Sequence, residues 1–211
     1  MTTTLSRLYD TYSDADQVVT ELERTGIPHE DISVMASNAD NWYSERGTRG
    51  SSGRVDRDRD GTDDRAEGAA AGAGIGATLG GAAGLLAGLG LLAIPGVGPV
   101  VAAGWLAATA AGAAAGGATG GILGALTQAG VSKEDAHVYA EGVRRGGTLV
   151  SVRVSDGNRA RVEAILDRNA VNVSDRGAIY RKSGWSSFDP SAPPYTADQV
   201  RQERSLYRHT V

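Results

Sequence analysis

The residues whose types and spacing best fit a chemical task are Asp56, Asp58, Asp60, Thr62, Asp64 and Glu67. They lie in Asp56-Arg-Asp-Arg-Asp-Gly-Thr-Asp-Asp-Arg-Ala-Glu67, which fits the twelve-residue calcium-loop pattern D-x-D-x-D-G-x5-E. Carboxylates at positions one, three and five can converge on one ion. Gly61 stands at the sixth position, where the chain must turn sharply, and Glu67 at the twelfth, where a glutamate binds through both oxygens. Two features depart from the pattern. Asp63 takes the eighth position, which is ordinarily aliphatic, and no helix is evident before Asp56. Arg57 and Arg59 also offset the charge, so the competing reading is a solvated, charged linker. The cofactor expectation is calcium at this loop or none.

No other chemistry gathers in the sequence. His29, His137 and His209 stand in no metal-ligand spacing, and a surface or packing role is expected of each. Cysteine is absent, which excludes disulfides, thiolate metal sites and cysteine nucleophiles. There is no G-x-S-x-G elbow, and Gly72-x-Gly74-x-Gly76 lacks the Lys-Ser/Thr that completes a phosphate loop. A net charge of −4 gives no footprint for nucleic acid. The expectation is a protein that is not an enzyme and has no evident small-molecule substrate. Met1–Tyr12 shows no basic stretch leading into an apolar run, so no secretory leader is expected.

The element that would position the acidic loop begins directly after it. Residues 68–132 contain no Asp, Glu, Lys, Arg or His. Gly68, Gly72, Gly76, Gly80, Gly84 and Gly88 recur every fourth residue. After Ile94-Pro-Gly-Val-Gly-Pro99, the ladder resumes as Gly104, Gly112, Gly116, Gly120 and Gly124, with Ala108 in the missing place. Residues four apart form one ridge of a helix. The spacing therefore predicts two helices, Gly68–Ala93 and Val100–Gln128, folded back at the Pro/Gly corner. Each interior glycine costs about 1 kcal/mol relative to alanine, so a close partner must repay the deficit. Small-xxx-small ladders serve that purpose between membrane helices. Both segments are also long enough to cross a bilayer core at 1.5 Å per residue. Against a membrane, Gly and Ala are barely apolar, and the flanks carry no excess of Lys or Arg. Lipid and the shared interior of a soluble homo-oligomer both satisfy the ladder.

The flanking sequence reads as two halves of one small domain. Residues 4–36 give strand, helix, strand: Thr4–Tyr12, then an amphipathic helix capped by Ser13 with Ala15, Val18, Val19 and Leu22 on one face, then Ile32–Ala36. Residues 132–174 give a helix opened by Ser132, the alternating strand Thr148–Val154, a helix capped by Asp156, and a last short strand over Val171–Val173. The order matches an α+β, ferredoxin-like split βαβ sandwich, a four-stranded antiparallel sheet with two helices on one face. In this division 37–67 is a polar linker with the acidic loop and 68–130 the glycine-zipper hairpin inserted in it. Residues 175–211 are a polar tail, either solvated or an arm that reaches a neighbouring subunit through Trp185, Phe188 and Tyr195. Within it, Thr196-Ala-Asp-Gln199 is a capping-box pattern that starts a short helix.

Several stretches resemble the bacterial general stress protein family with a YflT-like (heat-induced stress protein) domain. They are Asp31-Ile-Ser-Val34, Leu92-Ala-Ile-Pro-Gly-Val-Gly-Pro99 with Ala102-Ala-Gly104, Gly120-Gly-Ile-Leu-Gly124, and Tyr139-Ala-Glu-Gly-Val-Arg-Arg-Gly146 ahead of Leu149-Val-Ser-Val152. The resemblance spans most of residues 4–174. It implies a stress-induced bacterial protein without a recognised catalytic activity, and it transfers no active site. The combined expectation is a non-enzymatic stress-response protein that self-associates through its hairpin, on the cytoplasmic side and membrane-associated. The alternative is a soluble cytoplasmic oligomer, calcium-responsive through the Asp-rich loop.

Overall fold

The computed structural model describes residues 2–43, 90–115 and 121–207. The described strands are β1 (Thr2–Tyr9), β2 (Ile32–Ser37), β3 (Gly90–Ile94), β4 (Gly98–Ala103) and β5 (Thr148–Ser155). The described α-helices are α1 (Tyr12–Arg24), α2 (Trp105–Ala115), α3 (Gly121–Gln128), α4 (Lys133–Arg144), α5 (Arg159–Leu166), α6 (Val173–Lys182) and α7 (Ala197–Tyr207). Local chemistry accounts for their ends. The Thr11 hydroxyl accepts from the Asp14 amide and opens α1 two residues earlier than Ser13 would. Ser132 caps α4 by accepting from the Asp135 amide. At α7 the capping box closes both ways, with Gln199 N–H donating to the Thr196 hydroxyl and Thr196 N–H to the Gln199 amide oxygen. Asp156 does not cap α5; it begins a 3₁₀ turn, Asp156–Asn158, that leads into it.

The strands form one antiparallel sheet in the order β1-β5-β2-β4-β3. Alternation along each strand sends apolar side chains to both faces, so the sheet carries two cores. On one face Leu5, Tyr9, Ile32, Val34, Val150 and Val152 meet α1 and α5 through Val18, Leu22, Val162 and Leu166. On the other, Leu8, Met35, Val100, Ala102 and Leu149 meet Leu106, Ile122, Leu126, Tyr139 and Val143 of α2, α3 and α4. The architecture is α+β with helices on both sides of the sheet.

Several expectations are corrected. Among the described residues the sheet has five strands rather than four. Val171–Val173 is not a strand: Val171 N–H donates to the Leu8 carbonyl at 2.8 Å beside β1, and Asn172 then caps α6 by accepting from the Ser174 and Asp175 amides. The second hairpin helix, Val100–Gln128, is not continuous. Its start is β4, and the rest contains α2 and α3, 11 and 8 residues long. The Ile94–Pro99 corner is the turn of a β-hairpin, closed by Val97 N–H to the Ile94 carbonyl at 3.0 Å. β-branched Ile94, Val97, Val100 and Val101 there favour extended backbone over the helix that the glycine spacing predicted. No helix among the described residues is long and apolar enough to cross a membrane. Gly104 precedes α2 at φ +89, where a Cβ would come within 2.3 Å of the Ile32 carbonyl oxygen, so it serves a turn rather than a helical ridge. Gly112 and Gly124 do lie in helices, and a Cβ on either would meet nothing within 4 Å.

The tail is also different from either expectation. Tyr180, Phe188 and Val200 are buried against the chain's own domain.

Candidate functional site

Most of the expected site residues fall outside the described residues: Asp56, Asp58, Asp60, Thr62, Asp64 and Glu67, with Gly72, Gly76, Gly80, Gly84, Gly88, Gly116 and Gly120. Among the described residues, no group of three or more His, Asp or Glu could hold a metal ion. His137 has a defined task that its spacing did not show. Its Nδ1 accepts the Phe188 amide at 3.1 Å and helps seat the tail.

The densest polar constellation lies where α4 ends and residues 173–207 dock. Glu141 is 1% exposed in the last turn of α4. Its carboxylate accepts Arg145 Nε at 2.7 Å through one oxygen and an Arg144 guanidinium nitrogen at 3.2 Å through the other. Arg145 continues to Glu203 on α7 at 3.2 Å. The Arg145 guanidinium lies over the Tyr180 ring of α6, 4.3 Å from its centroid, and Arg144 over Tyr195 at 4.8 Å. Burial works against the Arg145 charge, but the Glu141 hydrogen bond and the Glu141 and Glu203 charges outweigh it and hold its pKa above the ordinary arginine value.

Two further arginines fasten the same segment. Arg176 of α6 donates to both oxygens of Asp10 at 2.8 and 2.9 Å and covers the Tyr207 ring at 3.7 Å. Arg204 of α7 donates to the Gly146 carbonyl at 3.1 and 2.9 Å and pairs with Asp40. Gly146 accepts this approach because it sits at φ +106, with Val200 where a Cβ would be. At the other end of the dock, Gly96 in the hairpin turn (φ +74) leaves room for Pro190 and Asp189. The Ile94–Pro99 and Glu141–Gly146 stretches that carry the family resemblance thus form two walls of one dock for the C-terminal segment.

This constellation anchors rather than reacts. The carboxylate is spent on two guanidinium groups. Burial, the larger effect, pushes the Tyr180 hydroxyl up to about 12 although Arg176 and Arg145 pull it down, so it stays protonated at neutral pH. Asp10 and Asp40 are each held by an arginine.

A second feature is a cleft of about 470 Å³ between the sheet and the α2–α3 pair. The face of the sheet that carries Leu8 and Leu149 turns polar at this end. Thr4 stands directly opposite Arg153, Thr2 opposite Ser155, and the Ser6 and Ser151 hydroxyls share a buried 2.8 Å hydrogen bond. Arg153 lies over the Trp105 ring at 4.0 Å.

The third is an edge. β3 pairs with β4 and, among the described residues, with no other strand. It reads Gly-Leu-Leu-Ala-Ile without a charge, and Leu91 is 42% exposed.

No family model, curated protein or solved structure matches this chain.

Proposed function

We propose that this is a non-enzymatic protein of the bacterial stress response whose working form is a homo-oligomer. The stress-response part rests on the family resemblance of Ile94–Pro99 and Tyr139–Gly146. The assembly part is carried by one observation: β3 is an apolar edge strand without the charges, proline or bulge that keep such edges from pairing. A second copy satisfies its outer amides and carbonyls by antiparallel pairing about a twofold axis, an isologous contact that closes on itself. Leu91 then packs across the axis. The glycine ladder of 68–88 immediately precedes this strand in the sequence, and its small-xxx-small spacing is a pattern used for close packing between chains. In this reading the domain is a ferredoxin-like split βαβ unit, β1-α1-β2 and β5-α5, with α1 and α5 on one face and the β3–β4 hairpin added outside β2.

Light scattering on detergent-free full-length protein tests this. Leu91→Lys should return a larger particle to a monomer while the far-ultraviolet circular dichroism is unchanged, because a charge at an edge opposes pairing. A wild-type protein that is monomeric without detergent at micromolar concentration removes the soluble assembly, and one recovered only with detergent places the hairpin in lipid instead.

A further inference from the structure

We infer that the cleft between the sheet and the α2–α3 pair binds a small molecule through an oxyanion, a carboxylate or a phosphate. The cleft's volume of about 470 Å³ falls in the range of small-ligand pockets. Its charge has one sign. Arg153 is the single ionisable group among the described residues that line it. That arginine has no hydrogen bond or ion pair with any described residue, whereas Arg144, Arg145, Arg176 and Arg204 are all fastened to carboxylates or carbonyls. Its guanidinium is nevertheless not loose. The Trp105 ring lies 4.0 Å from its central carbon, a cation–π contact that restrains the side chain while its N–H donors have no acceptor among the described residues. A planar fork of that kind matches two oxygens of a carboxylate or phosphate.

The surroundings agree. Thr2 and Thr4 share the strand face with Arg153 and bring hydroxyl donors beside it. Trp105 is the first residue of α2, so the positive end of that helix lies at the cleft wall. The opposite wall is the end of α3, whose carbonyls would repel an anion if free. Three of them are not: the Ala125, Leu126 and Thr127 carbonyls accept from the Ala129, Val131 and Gly130 amides. The Trp105 indole N–H is shielded from solvent and has no acceptor among the described residues, an uncompensated donor beside the stacked arginine.

The test follows the side-chain N–H resonances of full-length protein by ¹H–¹⁵N spectroscopy. Inorganic phosphate or benzoate is added at constant ionic strength, with chloride as the balancing anion. Saturable shifts of the Arg153 Nε–H and the Trp105 indole N–H, with the Trp42 and Trp185 indoles unmoved, are expected for at least one probe. Saturation by phosphate alone assigns a phosphate-bearing ligand, by benzoate alone a carboxylate, and by both the oxyanion as such. Arg153→Gln should weaken binding at least tenfold. Arg153→Lys, which keeps the charge and loses the fork, should weaken it about fivefold, and Thr4→Val should weaken it while leaving the stacked pair in place. The inference is overturned if neither probe gives a saturable shift, or if Arg153→Gln binds as the wild type does. Arg153 is exposed, so its replacement leaves the fold intact, and the unmoved amide resonances verify that.

Discussion

Glu141 and Arg145, four residues apart on one turn of α4, are joined by a 2.7 Å hydrogen bond with side chains 1% and 9% exposed. The pair sits beneath the last 35 described residues. Arg145 hands the contact on to Glu203, and its guanidinium carbon lies 4.3 Å from the centre of the Tyr180 ring. The spacing is that of an ordinary helical ion pair, but the burial is not, and it makes this junction the point on which the C-terminal segment depends.

Glu141→Ala should therefore cost about 3–5 kcal/mol, because it leaves two arginines withdrawn from water without their counter-charge. Chemical denaturation measures the loss. Hydrogen exchange should show it concentrated in α6 and α7, and an even loss across the sheet would mean that Glu141 supports the core in general.

Gly96→Ala should loosen the dock from its other end. A Cβ there would fall 2.6 Å from Pro190 Cα and 2.7 Å from the Asp189 carbonyl oxygen, on a backbone at φ +74. A cost of about 2 kcal/mol is expected from the strained conformation and the displaced segment. Limited proteolysis between α6 and α7 reads it, since cleavage there should accelerate while β1-α1-β2 stays protected.

Tyr180 gives the protein an alkaline limit. Its hydroxyl is buried beside the Arg176 guanidinium without a well-formed hydrogen bond to it, and burial, outweighing the pull of Arg176 and Arg145, raises its pKa from 10.0 to about 12. An acid whose folded pKa lies above its unfolded value stabilises the native state fully below the unfolded value and loses that contribution as pH rises through the folded one. The Tyr180 contribution should thus hold to about pH 10 and disappear between pH 10 and about 12. Tyr180→Phe should match the wild type at pH 7 within about 1 kcal/mol and unfold less readily at pH 11. Thermal unfolding at the two pH values decides this.

Glu23 acts in the opposite pH range. Both its carboxylate oxygens are shielded and have no hydrogen-bond partner among the described residues, and burial raises its pKa, with Asp16 adding to the shift and His29 opposing it. The charged form is therefore disfavoured in the folded state, a penalty that is absent below pH 4.5 and present at neutral pH. Glu23→Gln should raise the denaturation midpoint at pH 7 slightly and make little difference near pH 4, as denaturation midpoints at the two pH values will show.

Much of the two-sided domain could be read from local patterns. The α1 face of Ala15, Val18, Val19 and Leu22, the alternation of Val150, Val152 and Val154, the Ser132 cap and the Thr196–Gln199 capping box all report their elements through nearest neighbours. The hairpin was misread because period-four glycines and β-branched residues compete over 90–103, and pairing of β4 with β2 decides for the strand. The dock was not legible. Trp185, Phe188 and Tyr195 stood out as isolated aromatics in a polar tail, but sequence spacing says nothing of whether they reach the same chain or another. The adjacent Arg144 and Arg145 at a helix end were the available signal for the Glu141 cluster, and they have many solvated counterparts.

The amphipathic face of α1, the alternation of β5, the helix caps at Ser132 and Thr196 and the charge-free stretch of 68–132 are fixed by local sequence, since each depends on residues within a turn or two of each other. Tertiary structure alone decided that the tail is a structural layer, that Glu141 is an anchor, and that Arg153 stands over Trp105 at a cleft. Those facts rest on contacts between residues far apart in the chain, 48 positions for Arg153 and Trp105 and 58 for Arg145 and Glu203. Burial and pairing energies come into being only when the sheet order brings such residues together.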